Sequence, residues 1–250
     1  RFSQFKNMIK IPFEFGVDKQ AYPGVPELLR ALRAGKGRAY NPLYFISASP
    51  PELRRMIERK MLIDGVEFDG ITFKNPLRLI LKREFDQLKQ QIAFKLSALL
   101  MLDRELPDGS EIYLFGDDAE KDALIYSLYG DIAAGRLRGR QLSGTLLDMG
   151  VRLEYAEAVA TYSRSLPHRE RLRAIFVHLV RFPDGASVRD YAPLVVGYPN
   201  AATAATLLFE RGLIEDAALA RIKSTIPPGK PTIGTGQRVD RFFTPSGLHR

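Results

Sequence analysis

The chain has 250 residues, 45% of them hydrophobic and 26% charged, and its 37 Lys and Arg residues exceed its 29 Asp and Glu residues to give a net charge of +8. This composition is typical of a folded globular protein, and no apolar run approaches the roughly 20 residues of a transmembrane helix. Because cysteine is absent, disulfides and thiol chemistry are excluded, and we expect a cytoplasmic protein.

Patterns in the first third of the chain predict alternating helices and strands. Pro23 and Gly24 open an amphipathic pattern, and Ser49 begins a capping box in which its hydroxyl and Glu52 satisfy the first helical amides. The sequence predicts a helix over residues 23–35, a strand over 44–46, a helix over 49–62 and a strand over 68–73.

The alternation continues with a helix over residues 84–106, a strand over 111–115 and a helix that runs to 129. Strands that alternate with helices at these intervals indicate βαβ units. We therefore predict an α/β fold, a mostly parallel sheet flanked by helices, in a domain that covers residues 1–140.

Past Gly150 the patterns are helical, apart from a short strand-like run at residues 193–196. We expect helices over residues 152–162, 167–181, 200–210 and 215–222. This predicts a mainly helical extension over 150–223, followed by a basic tail over 224–250 that is rich in Pro and Gly and expected to be disordered.

Basic residues concentrate in this tail and in residues 168–181, where apolar residues recur at helical spacing. They either form a solvated face or attract an anionic membrane surface or nucleic acid. Nucleic acid is disfavoured, because aromatic residues are not interleaved with the basic ones as stacking platforms.

Three acids follow the predicted strand at residues 111–115: Asp117, Asp118 and Asp122. Ligands of open parallel sheets bind beyond the carboxyl ends of the strands, and carboxylate oxygens there suit Mg²⁺, which also binds phosphate. The alternative is that these residues only form a turn and a helix cap, where Asp is common.

A lysine in the long predicted helix is a second candidate. Leu88, Ile92, Leu96 and Leu99 form one apolar stripe, and Lys95 points along it. A buried ammonium needs a partner, which a phosphate could supply. Alternatively, the lysine lies at the edge of the stripe with its head in water. Lys82 and Lys89 are weaker candidates for the same role.

Together these motifs resemble the haloacid dehalogenase superfamily of phosphotransferases. Ser47-Ala48-Ser49-Pro50 follows one strand, Lys95 lies on a helix, and Gly116-Asp117 follows a later strand. The chain is similar to the phosphatidate phosphatase branch, which includes the lipins. That branch has Ser-Asn-Ser-Pro at the second motif and Asp-Pro-Glu-Ile-Tyr where this chain has Asp122-Ala123-Leu124-Ile125-Tyr126. The resemblance covers residues 20–135.

The resemblance implies a Mg²⁺-dependent phosphatase with a Rossmann-like sheet. Ser47 and Ala48 would bind the transferring phosphoryl group, and Lys95 would neutralise its charge. Asp117, with Asp118 or Asp122, would hold Mg²⁺. The substrate would be phosphatidate or a related phosphomonoester, reached by a protein that associates peripherally with membranes.

The nucleophile of this superfamily is an Asp within an Asp-x-Asp-x-Thr motif, and no Asp-x-Asp pair occurs in the chain. Because the chain begins with Arg1 rather than Met, we expect the motif to lie upstream and these 250 residues alone to be inactive. The alternative is a non-catalytic pseudophosphatase or scaffold that binds an anionic membrane or nucleic acid through its basic C-terminal region.

Overall fold

The computed structural model describes residues 22–37, 40–47, 51–73, 87–119 and 121–226. Its strands are β1 Tyr44–Ser47, β2 Gly70–Phe73, β3 Ile112–Asp117, β4 Leu172–His178 and β5 Val195–Tyr198. Its helices are α1 Val25–Ala34, α2 Arg54–Ile63, α3 Gln87–Glu105, α4 Asp122–Ala133, α5 Gly139–Asp148, α6 Leu153–Arg164, α7 Ala201–Glu210 and α8 Asp216–Ser224, with short 3-10 helices at Pro51–Leu53 and Ala186–Tyr191. No helix in these ranges is long and apolar enough to cross a bilayer.

The described residues form two compact units, one of residues 22–73 with 201–226 and one of residues 87–200. In the first, β1 and β2 pair in parallel, from Tyr44 opposite Gly70 to Ser47 opposite Phe73. The apolar face of α1 is buried against α7 and α8. Gly24 begins α1 in a left-handed conformation (φ 80°), and a Cβ there would lie only 3.1 Å from the Cβ of Ala201.

The second unit contains a parallel three-stranded sheet in the order β3-β4-β5. β4 lies in the middle, and its residues 174–177 are all buried. The rings of Phe115 on β3 and Phe176 on β4 stack with centroids 4.8 Å apart. Because the three strands are parallel, their carboxyl ends meet at one edge of the sheet, where Asp117, His178 and Tyr198 lie in register.

Helices α4 and α6 pack against α3, whose inward stripe is fully buried. The buried Arg171 caps the end of α3. It donates hydrogen bonds to the carbonyl oxygen of Asp103 at 3.3 Å and to that of Leu106 at 3.2 Å. These carbonyls lie at a helix end that has no further turn to satisfy them. Arg171 therefore joins the start of β4 to the end of α3.

The mixed α/β class with parallel strands is confirmed, as are the predicted helices and strands between residues 23 and 129 that the structure describes. The helix predicted over residues 167–181 is wrong, because β4 occupies Leu172–His178. The mainly helical extension is likewise wrong in part, since β4 and β5 extend the sheet that begins with β3. The predicted boundary near 140–150 falls inside the second unit. Nearly all of the predicted tail, and the Ser49 cap, lie outside the described residues.

Candidate active site

The candidate site lies at the carboxyl end of β3, where Asp117 is the last strand residue and Asp122 the first residue of α4. Gly116 allows the two elements to meet, because a Cβ at this position would lie 2.7 Å from the Cγ of Asp122. The Asp122 Oδ2 accepts a hydrogen bond from the Asp117 amide at 3.2 Å, and the Asp117 Oδ1 accepts one from the Ala119 amide at 2.9 Å. Backbone amides thus fix both acids at the strand end.

Lys95 on α3 completes this arrangement. Its side chain follows the apolar stripe of Ile92, Leu96 and Leu99, and the residue is 4% exposed. Its Nζ forms an ion pair with the Asp122 Oδ1, on a residue that is 3% exposed. Lys95 is thus buried along the stripe, so the alternative of a lysine head in water is wrong, and the partner that the structure shows is Asp122. Contact between Lys95 and a phosphate stays a prediction.

Asp118 has a different role, which is structural. Its carboxylate accepts hydrogen bonds from the amides of Val180 at 2.7 Å and of Arg181 and Phe182 at 2.8 Å. Although burial opposes ionisation, these amides lower the pKa of Asp118 below its usual value. Asp118 thereby ties the turn after β3 to the chain that leaves β4. Both oxygens of Asp122 are likewise engaged, by Lys95 and by the Asp117 amide, so this geometry favours Asp117 as the acid that binds a metal directly.

The other predicted residues, Ser47 and Ala48, come from a different stretch of the chain. Ser47 is the last residue of β1 in the first unit, whereas Lys95, Asp117 and Asp122 belong to the second. Ala48 lies outside the described residues. The structure thus brings the lysine and the two acids together, and the approach of the Ser47 hydroxyl to them stays a prediction.

Two aromatic residues at the same edge were not predicted as part of the site. His178 ends β4 opposite Asp117, and Tyr198 ends β5 opposite His178. Their rings stack with centroids 5.3 Å apart, and the His178 Nε2 lies 3.3 Å from the carbonyl oxygen of Pro199. Burial, and then the charge of Asp117, raise the pKa of Tyr198, so its phenol stays protonated. The sequence signal that could have located β4, and with it His178, is a short run of four consecutive apolar residues, which is typical of a fully buried parallel strand.

A half-open pocket of about 250 Å³ adjoins the acidic turn. Its walls come from Leu124 on α4, Val177 on β4 and Tyr191 of the second 3-10 helix, and Lys121 and Ser187 supply polar groups. A pocket of this size can hold only a small group, so it does not by itself define a substrate.

The acids of the site suit a magnesium ion that keeps much of its hydration. Asp117 supplies hard oxygen atoms at the strand end, whereas Asp122, whose oxygens contact Lys95 and the Asp117 amide, would reach an ion only through water. Mg²⁺ is commonly held by one or two carboxylates with waters and substrate phosphate. Among the described residues, no group of three or more His, Cys, Asp or Glu side chains is placed to hold a metal. The donor set thus fits Mg²⁺ completed by other oxygens, not an ion enclosed by protein ligands.

A scan against models of protein families finds no match for this chain, and searches of curated proteins and of solved structures also find none. The resemblance described above therefore depends on the motifs and their order alone. What the structure contributes is the spatial arrangement of three of the motif residues.

Proposed function

We propose that this protein is a Mg²⁺-dependent phosphatase of the haloacid dehalogenase type, similar to the phosphatidate phosphatases, which hydrolyses a phosphomonoester through an aspartyl-phosphate. The observation that supports this most strongly is the buried Lys95–Asp122 ion pair beside Asp117 at the carboxyl end of β3. Burial of an ion pair costs hydration that the attraction between its partners must repay, and a fixed ammonium suits phosphoryl transfer, which depends mainly on positioning and on charge compensation.

Each residue has a defined role in this proposal. Asp117, with Asp122 through water, would hold Mg²⁺, which when bound would supply Lewis-acid compensation of the phosphoryl charge. Asp122 is a positioning residue that orients the Lys95 ammonium, and Lys95 compensates charge on the equatorial phosphoryl oxygens. Ser47 and Ala48 contribute hydrogen bonds to the same oxygens.

The covalent step requires a carboxylate nucleophile, which we place in an Asp-x-Asp-x-Thr motif upstream of Arg1. A bond forms between this carboxylate oxygen and phosphorus while the ester oxygen–phosphorus bond breaks. The departing alkoxide takes a proton from the second acid of that motif, and water then hydrolyses the aspartyl-phosphate to release inorganic phosphate. The substrate class that we propose is phosphatidate or a related phosphomonoester, met by a cytoplasmic protein at a membrane surface.

The test uses the natural chain with its upstream residues restored. We expect it to release inorganic phosphate from phosphatidate micelles or from another member of a phosphomonoester panel, and chelation of Mg²⁺ should stop the release. Asp117→Asn should lower the rate by at least about a hundredfold, since one ligand and one charge are lost. The matched control is Asp148→Asn, at an exposed acid on α5. Absence of release from the whole panel would refute the proposal.

A non-catalytic scaffold is the second candidate, and the basic residues concentrated in the C-terminal part of the sequence favour it. A scaffold of this kind would release no phosphate even with its upstream residues. It would bind anionic vesicles or nucleic acid through its basic C-terminal region, more weakly at high salt, and Asp117→Asn would leave this binding unchanged.

A further inference from the structure

Helix α2 of the first unit has an unusual surface. None of its ten residues is buried, and its last two side chains, Leu62 and Ile63, are 79% and 62% exposed. Arg59 follows Arg55 by four residues, and Leu62 and Ile63 follow Arg59 by three and four, so the four residues share one face of the helix. We call these four residues the α2 outer face.

The charges on the α2 outer face are cationic. Arg55 and Arg59 are exposed and form no ion pair with a described residue, whereas the neighbouring Arg54 pairs with Glu58 at 2.7 Å. Two uncompensated guanidinium groups therefore flank two aliphatic side chains. Exposed aliphatic side chains beside cations suit the surface of an anionic bilayer, where apolar groups enter the headgroup boundary and Arg is attracted to anionic lipids.

The α2 outer face is held in place by the opposite side of the helix. Met56, Ile57 and Met61 are half-buried, and Lys60 pairs with Asp64 just beyond the helix end. The Met61 carbonyl accepts a hydrogen bond from the Val66 amide at 2.8 Å. The exposed aliphatic side chains thus belong to an ordered helix end.

We propose that the α2 outer face docks the protein on membranes that contain anionic lipids. Leu62 and Ile63 would enter the headgroup region, and Arg55 and Arg59 would contact lipid phosphates and carboxylates. A bilayer fits better than a folded protein partner. The surface area of two side chains is far smaller than the area that each partner buries in a stable protein complex, which is about 800 Å². Nucleic acid would contact the arginines but would gain little from two exposed aliphatic residues.

Docking through the α2 outer face does not rest on the proposed phosphatase activity, since it concerns adsorption alone. Such docking would supply the membrane contact that hydrolysis of a lipid phosphate requires. Binding can be measured whether or not phosphate is released, so failure of one proposal is distinguishable from failure of the other.

The test is cosedimentation of the full chain with vesicles of phosphatidylcholine plus phosphatidylserine, compared with phosphatidylcholine alone. We expect binding to the anionic vesicles only. The double change Leu62→Ser and Ile63→Ser should weaken this binding by about tenfold or more, because most of the inserted apolar surface is lost. Arg55→Gln with Arg59→Gln should weaken it by about tenfold and reduce its sensitivity to salt.

Matched controls separate the α2 outer face from the rest of the basic surface. Leu153→Ser changes another exposed leucine, 56% accessible on α6, and Arg140→Gln changes another exposed arginine. Both should leave binding within about twofold of the unchanged chain. Absence of binding to anionic vesicles would overturn the proposal. Binding that survives the two serine substitutions would also overturn it, and equally tight capture of duplex RNA by that serine variant would assign the arginines to nucleic acid.

Discussion

At the scale of single residues, substitutions of the Lys95–Asp122 pair test how strongly these two charges are desolvated. Both residues are almost inaccessible, so removal of one leaves an uncompensated buried charge. Lys95→Met should lower the free energy of unfolding by about 3–5 kcal/mol. Adding Asp122→Leu should recover much of that loss, because apolar groups of similar volume often replace a buried ion pair at little cost. Urea denaturation followed by circular dichroism measures both values.

The control is the Arg54–Glu58 pair, an ion pair within α2 with both side chains partly exposed. Arg54→Met should cost less than about 1 kcal/mol, since water already solvates both charges. Losses of equal size at the two pairs would contradict the desolvated environment described for Lys95. A double variant less stable than Lys95→Met would argue that Asp122 stabilises the fold through its other hydrogen bonds.

At the scale of elements, Asp118 connects the turn after β3 with the residues that follow β4. Its folded-state pKa is lowered, against burial, by three backbone amides. Its contribution to stability is therefore present above the unfolded pKa of about 3.9 and is lost as the pH falls through the lower folded pKa. Asp118→Asn should cost about 1–3 kcal/mol near neutral pH.

The difference in unfolding free energy between the unchanged chain and Asp118→Asn should shrink as the pH falls below about 4. Urea denaturation at a series of pH values measures this difference. Asp148→Asn is the control, because this exposed acid at the end of α5 accepts no hydrogen bond from a described residue. A difference that grows toward acid pH would contradict the assigned role of Asp118, whereas one that is constant would show that the loop does not depend on the charge.

Local patterns determined most of the elements but not their partners. The stripe on α3 and its lysine were predictable, because helical spacing places Ile92, Lys95 and Leu96 on one side. The misread segment was β4, in which Leu172, Ile175 and Phe176 have helical spacing by coincidence. A strand buried on both faces does not alternate, so its pattern resembles that of a buried helix.

The sequence indicated the acids and the lysine that the structure brings together, but not the residues beside them. The sequence places Asp117 after a strand, but only the sheet order β3-β4-β5 reveals that His178 and Tyr198 stand beside it. Likewise, the sequence cannot separate Asp118 from Asp122. That distinction depends on which amides each carboxylate meets, and the amides of residues 180–182 lie about 60 residues away in the chain.

At the scale of the whole molecule, the two units should differ in local stability. β4 has strand partners on both sides and a buried run at residues 174–177, whereas β1 and β2 are four-residue strands that pair with each other and are only partly buried where their side chains are described. A two-stranded pairing of this length is marginal in water without further packing. Opening of the β1–β2 sheet should therefore cost less free energy than opening of β4, so its amides should exchange faster.

Hydrogen exchange followed by mass spectrometry tests this directly on the full chain. We expect peptides that cover Leu172–His178 to exchange at least about tenfold more slowly than those that cover Tyr44–Ser47 or Gly70–Phe73. Lys95→Met should speed exchange in the second unit, because the pair joins α3 to α4 next to the β3 strand end, while leaving β1 and β2 nearly unchanged. Equal protection of the two sheets, or equal acceleration by Lys95→Met, would mean that the chain opens as one cooperative body.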